Sequence, residues 1–262
     1  MRKRDLAVVT GASSGIGFEL ARCAAQDGCD VVLVADEHEI RTAAAALEDG
    51  GSDVTAIEAD LGTEHGVAIL WQEIADRHVD YFAANAGRGL GGAFLDQDWE
   101  EIEAVIHTNV TGSTALLHRA AKKMRDQGEG RILITGAIAG EVPGAFRAVY
   151  NATTAYLDTL SWGIREELKD DGVTLTCLMP GPTETEFFDR AQMDDTPVGQ
   201  DHGKADPAKV ARAGWDAMKR GSSGVTPGFM NKLQRQLTGV IPDTVLARVH
   251  RNLAEPRGAG NG

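Results

Sequence analysis

The feature that most narrows the fold of this chain is an abrupt change of character at residue 10. The apolar run Leu6-Ala7-Val8-Val9-Thr10 closes directly on Gly11-Ala12-Ser13-Ser14-Gly15-Ile16-Gly17, after which a helix-like segment runs to Gln26. A short run without polar alternation reads as a strand buried on both faces, the kind found in parallel sheets covered by helices. Glycines between such a strand and a helix let the backbone turn tightly and leave the helix N-terminus with free amides.

The alternation continues along most of the chain. Strands are predicted at 6–10, 30–35, 54–59, 81–84, 131–135 and 173–179, and amphipathic helices at 15–26, 39–48, 64–77, 99–125 and 150–169. This predicts an α/β fold, a doubly wound parallel sheet with helices on both faces. A length of 262 residues suits one large domain, taken as residues 1–256, since α/β domains of roughly 200 to 250 residues are common. Residues 184–206 are polar, acidic and poor in periodicity, which predicts a long loop or helical lid after the sixth strand. The glycine-rich tail 257–262 is expected to be disordered.

Composition removes several function classes. Hydrophobic residues at 42% and charged residues at 25% describe an ordinary globular protein, and no apolar run is long enough to cross a bilayer. Met1-Arg2-Lys3-Arg4 is basic, but the apolar stretch behind it is too short for a signal-peptide core, so a cytoplasmic location is expected. Cys23, Cys29 and Cys177 are odd in number and lack paired metal-ligand spacing. They read as buried thiols rather than disulfides or a zinc site, and no metal is expected. A net charge of −13 disfavours nucleic acid or an anionic membrane as partner.

The glycine turn is also the first chemical signal. Gly11, Ser13, Ser14, Gly15, Ile16 and Gly17 stand where a backbone can approach a pyrophosphate lying at a helix N-terminus. A glycine-rich turn that binds nothing is the alternative. Asp36 follows the second strand, where a carboxylate can accept hydrogen bonds from both hydroxyls of an adenosine ribose and would repel a 2′-phosphate. NAD is therefore expected over NADP. Asp36-Glu37 could instead be a solvated start to the next helix, and His38, Arg22 and Arg41 weigh against the preference.

With these residues in view, the chain resembles the short-chain dehydrogenase/reductase superfamily over nearly its whole length, and that resemblance implies a single Rossmann-type domain. Thr10 through Gly17 matches the family's cofactor glycine motif. Asp60-Leu61 matches the acidic position at the adenine, and Asn85-Ala86-Gly87 the turn after the fourth strand, with Ala84 replacing the first asparagine of the usual pair. Asn109 falls on the family's structural and catalytic asparagine, implying that it holds a helix kink and a relay water. Pro180-Gly181-Pro182-Thr183-Glu184-Thr185 matches the segment that closes over the nicotinamide, where Thr185 would contact the carboxamide.

The catalytic positions depart from the family. The resemblance makes Tyr150 the acid/base group, but the usual serine position is Ala137 and the usual lysine, four residues after the tyrosine, is Thr154. On a helix Thr154 shares a face with Tyr150 and can take over the ribose contact with a neutral hydroxyl. A tyrosine has a pKa near 10 in water, and each unit of lowering is about 1.4 kcal/mol, so losing the lysine forfeits activation. Arg88 is the leading substitute for the missing cation, with Arg147 the weaker one because it could equally pair with Glu141. Thr135, Thr183 or the substrate itself could supply the missing hydroxyl.

Residues 87–94, Glu141 with the loop that follows it, and Phe187-Phe188 are expected by resemblance to line a pocket for a small, moderately apolar molecule, as is Ala137. Core packing explains the aromatics as well. The apolar and basic stretch 229–253 is expected to dock on its own domain. A homodimer or homotetramer is implied by resemblance only. Three readings stand. The first is an NAD(H)-dependent oxidoreductase of an alcohol or carbonyl with a modified site. The second is a non-redox enzyme using Tyr150 as a general acid. The third is a catalytically silent nucleotide sensor.

Overall fold

A computed structural model describes residues 4–48, 51–201, 203–228 and 242–256. Seven parallel strands form one sheet: β1 (Leu6–Thr10), β2 (Asp30–Ala35), β3 (Val54–Glu58), β4 (Tyr81–Ala84), β5 (Gly130–Thr135), β6 (Val173–Leu178) and β7 (Gly224–Val225). Their order is β3-β2-β1-β4-β5-β6-β7, with Val9 opposite Leu33 on one side and Ala83 on the other. The order reverses between β1 and β4, and in a doubly wound sheet the crevice at such a reversal opens at the carboxyl ends of the strands.

The helices are α1 (Gly15–Gln26), α2 (Ile40–Glu48), α3 (Glu64–Glu73), α4 (Trp99–Ile106), α5 (Ser113–Gln127), α6 (Ala148–Glu167), α7 (Phe187–Arg190), α8 (Pro207–Lys219) and α9 (Asp243–Ala254). Successive strand residues point to opposite faces, so Val8, Phe82 and Ile132 join a core with Leu116, Leu117 and Leu157, while Val9, Leu33 and Leu133 join a second core with Leu20, Ile40 and Trp215. The single-domain doubly wound sheet expected from the sequence is the fold observed.

The six expected strands are present with ends shifted by a residue at most. Two residues of β7 are too few for any periodic signal. α8 also went unpredicted, although Asp206 before Pro207 is a start signal: the Asp206 carboxylate accepts from the Ala208 N–H at 2.9 Å. The helix expected over 99–125 is broken. Between α4 and α5 lies a π-helical segment, His107–Gly112, and a Cβ at Gly112 would stand 2.1 Å from the Leu61 carbonyl oxygen. Backbone meets backbone there, and the inserted turn leaves Asn109 buried at the point where the resemblance puts a kink. Of the stretch 229–253, residues 229–241 lie outside the described residues, as does the tail 257–262. Among the described residues no helix is long and apolar enough to cross a membrane.

Candidate active site

A cleft of about 480 Å³ opens over the carboxyl ends of β1, β4, β5 and β6, within the usual size range of a small-ligand site. Its first wall is the turn entering α1. Gly11 and Gly15 have φ of 62° and 57°, backbone that favours glycine. A Cβ at Gly17 would meet the Gly11 carbonyl oxygen at 2.0 Å, and one at Gly15 would meet Thr185 Cγ2 at 2.9 Å. Helix, turn and the 183–185 segment thus close on one another with room for hydrogen atoms only. Ser14 caps α1 without a side-chain hydrogen bond, which leaves first-turn N–H groups for an anion. These features fit the pyrophosphate of a dinucleotide.

Of the expected cofactor-contact residues, Gly11, Ser13, Ser14, Gly15, Ile16, Gly17, Asp36, Asp60, Leu61, Asn85, Ala86, Gly87, Pro180, Gly181, Thr183 and Thr185 all line this cleft. Several carry structural duties as well. The Asn85 side chain donates to the Thr10 and Gly11 carbonyls at 3.2 and 3.3 Å and accepts from the Thr135 hydroxyl at 2.9 Å. It therefore locks the glycine turn to β1 and β5. Asp60 accepts from the Gly62 N–H at 2.9 Å, and Ser13 donates to Glu37 at 2.8 Å.

Tyr150, one turn into α6, faces the cleft with Thr154 and Ala137. Burial pushes the Tyr150 phenol above the ordinary tyrosine value; the Arg147 charge opposes this and Asp158 adds to it. The phenol is protonated at neutral pH. Thr154 is buried, and its hydroxyl donates to the Asn151 carbonyl at 2.9 Å. Its proton is committed to its own helix, leaving oxygen lone pairs for a ligand donor. Asn109 accepts from the Arg88 N–H at 2.8 Å and donates to the Arg88 carbonyl and the Thr153 hydroxyl at 2.9 and 3.0 Å. It ties the turn after β4 to α6.

Four expectations about the catalytic end and the substrate pocket are corrected. Arg88 does not stand by Tyr150: its guanidinium donates to Asp36 at 2.5 Å, because the carboxylate is the nearest place its charge is satisfied. The cation at Tyr150 is Arg147, with its guanidinium carbon 4.8 Å from the ring centroid. The Thr135 and Thr183 hydroxyls are both engaged, on Asn85 and on the Gly181 carbonyl at 2.9 Å, so neither replaces a catalytic serine as it stands. Glu141 does not line the cleft; Val142 does. Likewise only 87–90 of the segment 87–94 reach the cleft, and Phe94 is 56% exposed.

Phe187 and Phe188 line the cleft as expected, Phe187 with its ring 5.2 Å from that of Tyr150. The segment 184–206 is folded rather than a bare loop. It contains α7, a bridge from Thr183 to Ala205 and fully buried Ala191 and Met193. Arg190 of α7 pairs with Glu37 at 2.5 Å and with Glu186, linking this segment to the end of β2. Sequence reasoning missed Arg190, and it missed His250 and Leu253 of α9, which also line the cleft. His250 lies 3.0 Å from the Ala145 carbonyl oxygen, and burial, then the Arg147 charge, lowers its proton affinity. No local motif could have announced a contact across 105 residues.

The family model described as short chain dehydrogenase matches residues 5–196. The ketoacyl reductase HetN of Nostoc sp. is 28% identical over 256 residues, covering 93% of this chain and 87% of that protein. An uncharacterized oxidoreductase of Myxococcus xanthus is 33% identical over 189 residues, 69% of this chain and 73% of its own. A solved short-chain dehydrogenase from Sphingobium yanoikuyae in complex with NADPH superposes with a TM-score of 0.80 at 29% identity, covering 91% of this chain and 96% of that one. Since the matched span runs from β1 through Tyr150 into the segment beyond β6, and the sheet order agrees with it, the chain belongs to the short-chain dehydrogenase family and is an oxidoreductase of that type.

Proposed function

We propose that the protein is an NAD(H)-dependent oxidoreductase that interconverts an alcohol and a carbonyl on a small, moderately apolar molecule, with Tyr150 as its proton carrier. The observation that carries this reading is a phenol held protonated by burial and opening on the same cleft as the glycine turn. A bound nicotinamide supplies or accepts the hydride. Tyr150 donates the proton to the carbonyl oxygen in reduction and takes it back in oxidation. Ala137 offers no hydroxyl, so Tyr150 is the donor that orients the substrate oxygen. Thr154 accepts from a ribose hydroxyl, and Asn109 keeps α6 in register with the turn after β4. Residues 184–206 act as a lid over the cofactor, with Arg190 as its latch.

Asp36 supports NAD over NADP. Its carboxylate stands at the end of β2, where it can accept from ribose hydroxyls, and it is paired there with Arg88, as the neighbouring Glu37 is with Arg190. Phe94, Leu95, Trp99 and Tyr156 leave apolar surface exposed around α4 and α6, which supports a homodimer or homotetramer.

The test is a binding titration with NADH and NADPH followed by turnover over a panel of aldehydes and ketones, for wild type and Tyr150→Phe. The expected outcome is tighter binding of NADH, and reduction that falls by about a hundredfold or more in Tyr150→Phe while NADH affinity holds. Failure to bind either nucleotide would sink the reading. Binding without turnover would favour the sensor, and Tyr150-dependent activity without added nucleotide the non-redox enzyme. Asp36→Ala should weaken NADH more than NADPH; the reverse order removes Asp36 from the ribose.

A further inference from the structure

Among the described residues three arginines line the cleft, and two of them are neutralised: Arg88 by Asp36, Arg190 by Glu37 and Glu186. Arg147 is different. It is 8% exposed, its Nε is enclosed without an acceptor, and among the described residues its guanidinium forms no hydrogen bond and no ion pair. Burying an unpaired cation is among the most expensive arrangements a fold can hold.

The surroundings add to that cost. Arg147 is the N-cap residue of α6, whose N-terminus has no side-chain cap, so the positive end of a 20-residue helix lies beside the positive side chain. Phe146, directly before it, has φ of 60°, a left-handed conformation seldom adopted outside glycine and often kept at ligand sites. The Arg147 N–H donates to the Gly144 carbonyl at 3.0 Å and holds this bend. His250, bonded to Ala145 on the same wall, is neutral and brings no negative charge. Among the described residues the face of the Tyr150 ring is the compensation found, and a cation–π contact is small beside the desolvation of a guanidinium. A ligand that brings its own negative charge removes the imbalance.

Helix geometry assigns that charge to the substrate rather than to the cofactor. Arg147 and Thr154 lie on either side of Tyr150, about 10 Å apart along the axis at 1.5 Å per residue. Thr154 occupies the position of the ribose contact, so Arg147 lies toward the opposite end, where His250 and Leu253 close the cleft. Leu90, Val105, Ile138 and Val142 add apolar wall, while Glu101, which also lines the cleft, accepts from the Gln192 amide at 2.8 Å. The guanidinium stands over the ring whose hydroxyl handles the proton, so an anion bound there is only a short chain from the reacting carbon.

We propose that the substrate is an apolar-bodied oxo or hydroxy acid whose carboxylate is bound by Arg147 beside Tyr150. A planar carboxylate accepts two N–H groups of the guanidinium fork and adds the missing negative charge at the α6 N-terminus. The proposal rests on Tyr150 being the proton carrier, and it sharpens the substrate class from moderately apolar to amphipathic and acidic.

Two measurements test it on the NADH-loaded protein. The first is calorimetric titration with benzoate, phenylacetate and 3-phenylpropanoate against the matching primary amides, for wild type, Arg147→Met and Arg147→Lys. At least one acid should bind at least tenfold more tightly than its amide. Arg147→Met should lose about a hundredfold for that acid, in keeping with removal of one partner of a buried charge pair, and Arg147→Lys less. Unchanged amide binding in Arg147→Met reports an intact fold. The second is turnover of benzoylformate and its methyl ester, where Arg147→Met should raise KM for the acid at least tenfold more than KM for the ester. Equal binding of acids and amides to wild type overturns the proposal. So does an equal loss of kcat on acid and ester, which would make Arg147 a positioning residue for the phenol. Acid binding that depends on Arg147 in a protein that reduces no carbonyl would leave the anion site standing and remove the function proposed above; carbonyl reduction with no preference for acids would do the reverse.

Discussion

Replacing Gly17 by alanine separates space from backbone conformation at the turn that shapes the cleft. The added Cβ would lie 2.0 Å from the Gly11 carbonyl oxygen and 2.6 Å from Asn85 Nδ2. Ordinary carbon contacts are about 3.5–4.0 Å, so α1 and the turn must separate by on the order of 1 Å or more. Overpacking of this kind typically costs about 1–3 kcal/mol. For a domain of this size each 1 kcal/mol lowers Tm by roughly 2–4 °C, so a fall of about 2–12 °C is expected. The same displacement moves the free N–H groups of α1 away from a bound anion. A hydrogen bond to a charged group contributes about 1.5–3 kcal/mol, so the Kd for NADH should rise roughly ten- to hundredfold. Gly28→Ala is the control: φ there is 85° and nothing lies within 4 Å of the added atom, so Tm should fall through backbone strain while NADH affinity holds. Thermal unfolding and NADH fluorescence titration read both quantities. Wild-type affinity in Gly17→Ala would refute the close approach of α1 to the turn as the basis of the cradle.

Reduction by wild type should be flat through neutral pH and fall only as pH rises past the elevated phenol pKa, while oxidation should climb with pH, because the base form of Tyr150 appears only there. Thr154→Lys puts a cation one turn from the phenol and should move the rise in oxidation to lower pH by about one unit or more; an unmoved profile would show that a cation at position 154 does not control the phenol. Cys23, Cys29 and Cys177 are buried, with burial pushing the Cys29 thiol up to about 12 from an ordinary value of 9.0. At pH 8 a thiol-reactive disulfide should label them only after denaturation. The stability contributed by the buried neutral Cys29 is complete below pH 9 and is lost as pH rises through about 12; rapid labelling of native protein would contradict this burial.

The sheet and the glycine turn were legible in the residues because they are written in local signals. A buried strand announces itself in five or six consecutive apolar residues, and the positive φ at Gly11 and Gly15 announces itself as glycine. What failed to show was short or distant. β7 has two residues, the π-helical insertion depends on Gly112 meeting Leu61, and α9 reaches the cleft from the far end of the chain. Asn109 was placed at a kink by resemblance, and the hydrogen bonds that hold it there came from elements 21 and 44 residues away.

The sequence by itself determined the doubly wound sheet, the turn that opens on it and the identities of Ala137, Tyr150 and Thr154. Those follow from periodicity, from backbone freedom and from residue identity, which need no knowledge of neighbours. Only the tertiary structure decided where the charges went. Arg88, adjacent in sequence to the turn at the cleft, went to Asp36, and Arg147, the weaker candidate from sequence, was buried over Tyr150 with no carboxylate paired to it among the described residues. A guanidinium on a long side chain settles wherever desolvation and opposite charge balance best, and that balance is set by groups the chain brings together only when it folds.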